Sequence, residues 1–342
     1  MPLRKPADPR PLISQVTPPA AIAGGELQIR GKGFAQEDRP KVTIGEVGAP
    51  VIIGSDSFVI ARVPEGATAG ELVIESGAQT SASWACDIGV LVADNLHPVT
   101  NPAVDSFGNI FTTFSGSRGQ KVPVAVYKID LNFALKPFIN DLMNATALTF
   151  DEQGILYISS RYDGFVYQVT PSGNMSVYVE GMGVATGIAF DGEHNLYVGD
   201  RSGTIFKISP NRQIFVFATL EPSISAYHLT FGPDGYLYVT GPTTSSFDAV
   251  FRISHQGEVE VFYRGLGRPQ GMAFDEDGRL YVAASIAGRK GVVRLDSSRR
   301  ADLFLSGPGI VGVAFTPSRA MVVATTNAIH RVDVGIKGRP LY

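Results

Sequence analysis

The chain has 342 residues, a formal net charge of −3 and 44% apolar residues, with 38 Gly and 22 Pro. That balance excludes a polybasic nucleic-acid binder, and no run approaches the ~18 consecutive apolar residues of a membrane-spanning helix. One cysteine, Cys86, excludes an intrachain disulfide framework and a thiolate metal cluster.

Residues 1–10 read as a polar tail. The opening "MPLRKPADPRPLIS" has early cations but no apolar core behind them, so it is not a secretory signal as it stands. A cytoplasmic location is the default expectation; an extracytoplasmic one stays open for an incomplete start.

Residues 11–87 hold five to seven short apolar runs broken by Gly and Pro, the pattern of a small β-sandwich. A Pro-Pro after the first run, then "AGGELQIRGKGF" and "VPEGATAGELVI", resemble the IPT/TIG immunoglobulin-like module. That resemblance implies a spacer or adhesion platform. Cys86, within the strand-like "SWACDI", reads as a buried structural thiol.

From residue 88 to 342 a motif recurs. "LTFDEQGILYISSR", "IAFDGEHNLYVGDR", "LTFGPDGYLYVTG" and "MAFDEDGRLYVAAS" are the clear copies, flanked by "PAVDSFGNIFTTFSG" and "VAFTPSRAMVVATT". Anchored on the residue before each turn (Val104, Phe150, Phe190, Phe231, Phe274, Phe315), the copies are spaced by 46, 40, 41, 43 and 41 residues. Each unit runs strand, four-residue turn, "LYV"-type strand, then two further strands. Six such units predict an all-β chain ending in a six-bladed β-propeller. The acidic turns exchange Asp for neutral residues between copies, so they read as backbone-bonding turn chemistry rather than a cation site. The last unit shows three clear strands. "IGVLVAD", Ile88–Asp94, is expected to supply its outer strand and close the ring, with the tail "GRPLY" as competitor.

These repeats resemble NHL-repeat propellers and the senescence marker protein/gluconolactonase family, through a shared "GxxFDxxGxLYV" blade. The second family implies a divalent ion in the central channel, held by a carboxylate and Asn/Asp residues just before the innermost strands. The matching positions here are Asn101, Thr146, Thr186, Tyr227, Gln270 and Val311. None is a carboxylate, which a hard divalent ion requires. No metal or cofactor is therefore predicted. The ring stays polar and suits a neutral or anionic small molecule.

The loops joining second to third strands are expected on the same face. They carry Arg118, Arg161, Arg201 and Arg289, offset by Asp163, Asp200 and Asp248. A recurring Arg at matching loops points to carboxylate or phosphate recognition. His97 and His228 sit in adjacent entrance loops. His228, beside Tyr227, is the candidate general base. Antibiotic-inactivating lyases with similar propellers use a channel His and Glu, but no Glu stands at a matching position here. His194 reads as a turn residue. No nucleophile elbow, phosphate loop or HExxH is present.

The leading expectation is a binding protein. Its Arg-rimmed propeller face would recognise a small polar or anionic ligand or a protein partner, with the IPT/TIG-like module as spacer. The alternative is a lactone hydrolase or lyase working in the channel, the only case that calls for a divalent metal.

Overall fold

The structure, a computed structural model, describes residues 10–35, 39–68, 70–117, 119–244 and 248–340. Among these residues the regular elements are all β-strands, and no helix is long and apolar enough to cross a membrane. The chain divides into two compact units, residues 1–90 with 303–308, and residues 91–302 with 309–342.

The first unit is a sandwich. Its strands alternate: in Glu26–Lys32, Leu27 and Ile29 are buried while Arg30 faces water. One sheet runs Leu12–Thr17, Glu26–Lys32, Phe58–Arg62, Val51–Gly54; the other contains Trp84–Ile88, Gly70–Ser76, Lys41–Ile44 and Val47–Ala49. Leu27, Ile29 and Val59 from the first meet Ile44, Leu72, Ile74 and Cys86 from the second in one core. Burial pushes the Cys86 thiol up to about 11, which keeps it protonated and unreactive.

The second unit is the six-bladed propeller. The inner strands are Ala103–Val104, Ala145–Phe150, Ala185–Phe190, His228–Phe231, Met272–Phe274 and Ile310–Phe315. Each turns back into a second strand, and four strands make a blade. The sixth blade takes its outer strand from Val90–Ala93, which lies beside Ile329–Val332. The C-terminal tail does not fill that place. Gly338 instead bridges Asp275 in the inner turn of blade five.

The acidic turns are what their sequence predicts. The Asp151 carboxylate accepts the amides of Gln153 at 3.0 Å and Ile155 at 2.9 Å. Asp191 does the same for Glu193 and Asn195. In "FDEDG", buried Asp275 accepts the amide of Arg279 at 2.8 Å, and Asp277 pairs with the Arg279 guanidinium. A contribution the repeat alone does not reveal comes from the Tyr of "LYV". The hydroxyls of Tyr157, Tyr197, Tyr238 and Tyr281 donate to Asp151, Asp191, Asp234 and Asp275. Burial, reinforced by those carboxylates, holds each tyrosine well above its ordinary pKa, so the hydroxyl stays a donor.

Candidate functional site

All inner strands run the same way, so the propeller has an upper face, where the chain enters them, and a lower face, where it turns out. Upper-face positions were expected to line the channel. Three of them are occupied otherwise. Thr146 Oγ1 donates to Asn144 O at 3.0 Å. Thr186 Oγ1 donates to Gly199 O at 2.7 Å and accepts the amide of Tyr227 at 3.1 Å. The Tyr227 ring is buried, its hydroxyl bonds Glu221 O, and burial pushes its pKa up to about 12. Gln270 is half-buried, and its backbone bonds Ala283 O and Thr240 Oγ1.

For Thr146 and Thr186 the reason is a bulge. The inner strands of blades two, three and six skip register between Ala145 and Leu148, Ala185 and Ile188, and Ile310 and Gly312. Two residues there oppose one, which breaks the alternation of side chains. A second correction concerns register. Counted from the anchors, Asn101 stands one place later than Thr146, Thr186, Tyr227 and Gln270; the matching residue in blade one is Thr100. Thr100 Oγ1 donates to Thr146 O at 2.7 Å.

The loop charges do not assemble into one fork. Arg118 lies outside the described residues. Arg161 donates to Gly116 O at 2.8 Å, and Arg289 also has a partner within the protein. Arg201 is exposed. Asp200 is a loop brace: it accepts the amides of Val184 at 2.8 Å and Ser202 at 3.3 Å. Asp163 accepts the Tyr167 hydroxyl at 2.6 Å, and Asp248 accepts Thr243 Oγ1 at 2.7 Å. His97 bonds Ser115 O and packs edge-on against Phe114.

A chamber of about 280 Å³ lies elsewhere, along the lower halves of the inner strands. Asp105, Ser106, Thr316 and Pro317 of the lower turns line it, as does the tail segment Lys337–Pro340. Of the expected site residues, Asn101 and His228 line it. They stand on blades one and four, opposite each other in a ring of six.

Asn101 is tied down. Its Nδ2 donates to Met272 O at 2.7 Å and its Oδ1 accepts the Val313 amide at 3.0 Å. Gly271 and Gly312 permit this, because a Cβ on either would collide with Asn101.

His228 is not tied down. It is 3% exposed, and its Nε2 has no hydrogen-bond partner among the described residues. Burial lowers its pKa to about 3, so the ring is neutral at physiological pH. Two further polar residues that sequence reasoning missed line the same chamber. Thr149 is 3% exposed and Thr230 5%. Their signal was present: both sit one place before an anchor where blades one, three, five and six carry Ala.

These donors do not suit a divalent ion. Among the described residues no three His, Cys, Asp or Glu stand together in a metal-holding group. The carboxylate in the chamber wall, Asp105, accepts the amides of Phe107 and Asn109 and the Asn109 side chain. A second concavity on blade five pairs its own charges, Arg294 with Asp302 at 3.0 Å and Arg300 with Asp296 at 2.8 Å.

Comparison with known proteins agrees with both units. Residues 11–83 match the IPT/TIG domain. No curated protein sequence matches the chain. Solved structures similar to it include an auxiliary nutrient binding protein from Bacteroides thetaiotaomicron, 13% identical with a TM-score of 0.54, over 95% of this chain and 98% of that one. A candidate gluconolactonase is 16% identical with a TM-score of 0.60, over 73% of this chain and 93% of that one. Virginiamycin B lyase from Staphylococcus aureus is 14% identical with a TM-score of 0.53, over 90% of this chain and 99% of that one. At such identities the likeness concerns fold.

Proposed function

We propose that this is a binding protein whose propeller holds a small molecule in the lower-face chamber, with the IPT/TIG domain as a spacer. One observation carries the reading: the buried Nε2 of His228 has no partner among the described residues, and His228 lines a single cavity together with Thr149 and Thr230. A buried polar group left unpaired costs about 1–3 kcal/mol, and a ligand that pairs it recovers that energy. The volume, about 280 Å³, is near the lower end of the range for small-molecule pockets. The fold-level likeness to nutrient binding proteins accords with a binding role.

The enzyme alternative draws less from the chamber. A general base needs a partner to orient it, and the carboxylate in the chamber wall, Asp105, is engaged in its own turn. The test compares two variants across a mixed fragment screen. Ala189→Leu narrows the chamber; Arg161→Ala with Arg201→Ala strips the upper loops. Binding should vanish in the first and persist in the second. The reverse result would place the ligand on the Arg-bearing loops.

A further inference from the structure

Resting on the chamber as the binding site, we infer that its ligand is an uncharged molecule with an apolar body and one hydroxyl, carbonyl or amide head seated against His228, Thr149 and Thr230. The charge of the ligand follows from where the wall keeps its own charges. Leu148, Ile188, Leu229, Met272 and Val313 line the chamber and offer only apolar contact. The charged lining residues are Asp105 in a lower turn, and Lys337 and Arg339 in the tail. Asp105 is spent on turn amides. Lys337 and Arg339 are exposed, and Lys337 pairs with Glu276 at 2.5 Å.

An ionised ligand head drawn in to the buried hydroxyls would lose its water and find no counter-ion there. Burying a charge without a partner costs far more than burying a neutral amide or hydroxyl. A neutral head pays no such cost. The available chemistry also matches it in kind. A threonine hydroxyl both donates and accepts, and a neutral imidazole offers one donor and one acceptor nitrogen. A carboxylate only accepts and would leave the acceptor capacity of these groups unused. The apolar side chains around them set the body of the molecule, since apolar surface removed from water is the main source of affinity in such a site.

The experiment uses the full chain and matched pairs of probes: the carboxamide and the carboxylate of cyclohexane, benzene and naphthalene. Affinity is measured at pH 7 by calorimetry, and the His228 ring resonances, assigned through a His228→Gln variant, are followed by NMR. At least one carboxamide is expected to shift those resonances and to bind at least tenfold more tightly than its carboxylate. Thr149→Val with Thr230→Val should weaken that carboxamide at least tenfold; Thr230→Val alone serves if the double variant does not fold. A carboxylate that binds as well as its amide while shifting His228 overturns the neutral-ligand inference and leaves the chamber standing. Amide binding untouched by the Val variants overturns the assignment of the head group. Probes that bind without moving His228, or no binding at all, overturn the chamber itself.

Discussion

The Tyr157 ring meets the Phe190 ring edge-on, with 4.8 Å between centroids and 76° between planes. Tyr157 is on the second strand of blade two, and Phe190 is the anchor of blade three. The same pairing recurs in Phe111–Phe150, Tyr197–Phe231, Tyr238–Phe274 and Tyr281–Phe315. Five of the six blade junctions therefore carry an aromatic staple. At the sixth, the corresponding residues are Val322 and Val104, which share an aliphatic cluster.

Tyr157→Ala should destabilise the propeller by about 3–5 kcal/mol, as expected for a buried aromatic truncated to alanine. Tyr157→Phe keeps the staple and loses only the bond to Asp151, so about 1 kcal/mol is expected. Urea unfolding of both variants checks the difference. Equal losses would mean that the hydroxyl, not the ring contact, holds the blades.

Asn101 supplies at the closing seam what the aromatic pair supplies elsewhere. Its amide joins the inner strands of blades five and six to blade one. Asn101→Ala should cost about 1–3 kcal/mol, because Met272 O and the Val313 amide lose their partner. Gly271→Ala should be as damaging, since the new methyl strikes the Asn101 amide. In an Asn101→Ala background Gly271→Ala should be relieved only in part, because the methyl still meets Gly312 Cα at 2.6 Å and Val311 O at 2.8 Å. Additive losses on thermal melting would contradict the shared contact.

Acid should weaken the propeller through His228 and His330. Burial lowers both pKa values, that of His228 to about 3. The folded pKa lies below the unfolded value of about 6.5, so the unfolded chain takes up the proton first. The neutral imidazole costs nothing above pH 6.5. Below it, His228 removes up to about 1.4 kcal/mol per pH unit until the folded pKa near 3. His228→Gln should therefore flatten the loss of stability between pH 6 and 4 by about one proton. Parallel curves for the two proteins would show that the ring is not buried neutral.

The tail should act on the chamber rather than on the ring. Phe274 O accepts the Arg339 amide at 2.9 Å, and Lys337 O accepts the Glu276 amide at 3.0 Å. Deleting residues 336–342 should lower stability by only about 1–2 kcal/mol. It should speed ligand dissociation, because Lys337–Pro340 forms part of the chamber wall. Stopped-flow release measurements with and without the tail decide this.

Ring closure should depend on the other end. Val92, Ala93 and Leu96 are buried in a cluster with Ile329 and Val322. Removing residues 1–87 should leave a folded propeller, whereas removing 1–96 should expose the edge of blade six and promote aggregation. Equal melting temperatures for the two truncations would show that Val90–Ala93 contributes nothing to closure.

The number of blades, their strand order and the role of the acidic turns were legible in the chain itself. They depend on local signals: period-two apolar runs, turn-forming Asp and Gly, and a repeat near 41 residues. The closing strand was legible as well, because the sixth unit lacked its fourth run. The site was less so. Thr146 and Thr186 lie beside bulges, and no count along a strand foretells which face a bulged residue takes. Asn101 bonds Met272 O and the Val313 amide only because the ring brings residues 171 and 212 positions away to it. His228 was visible as a candidate, but its lack of a partner was not. Whether a buried polar atom is satisfied depends on every neighbour around it, and in this propeller those neighbours come from other blades.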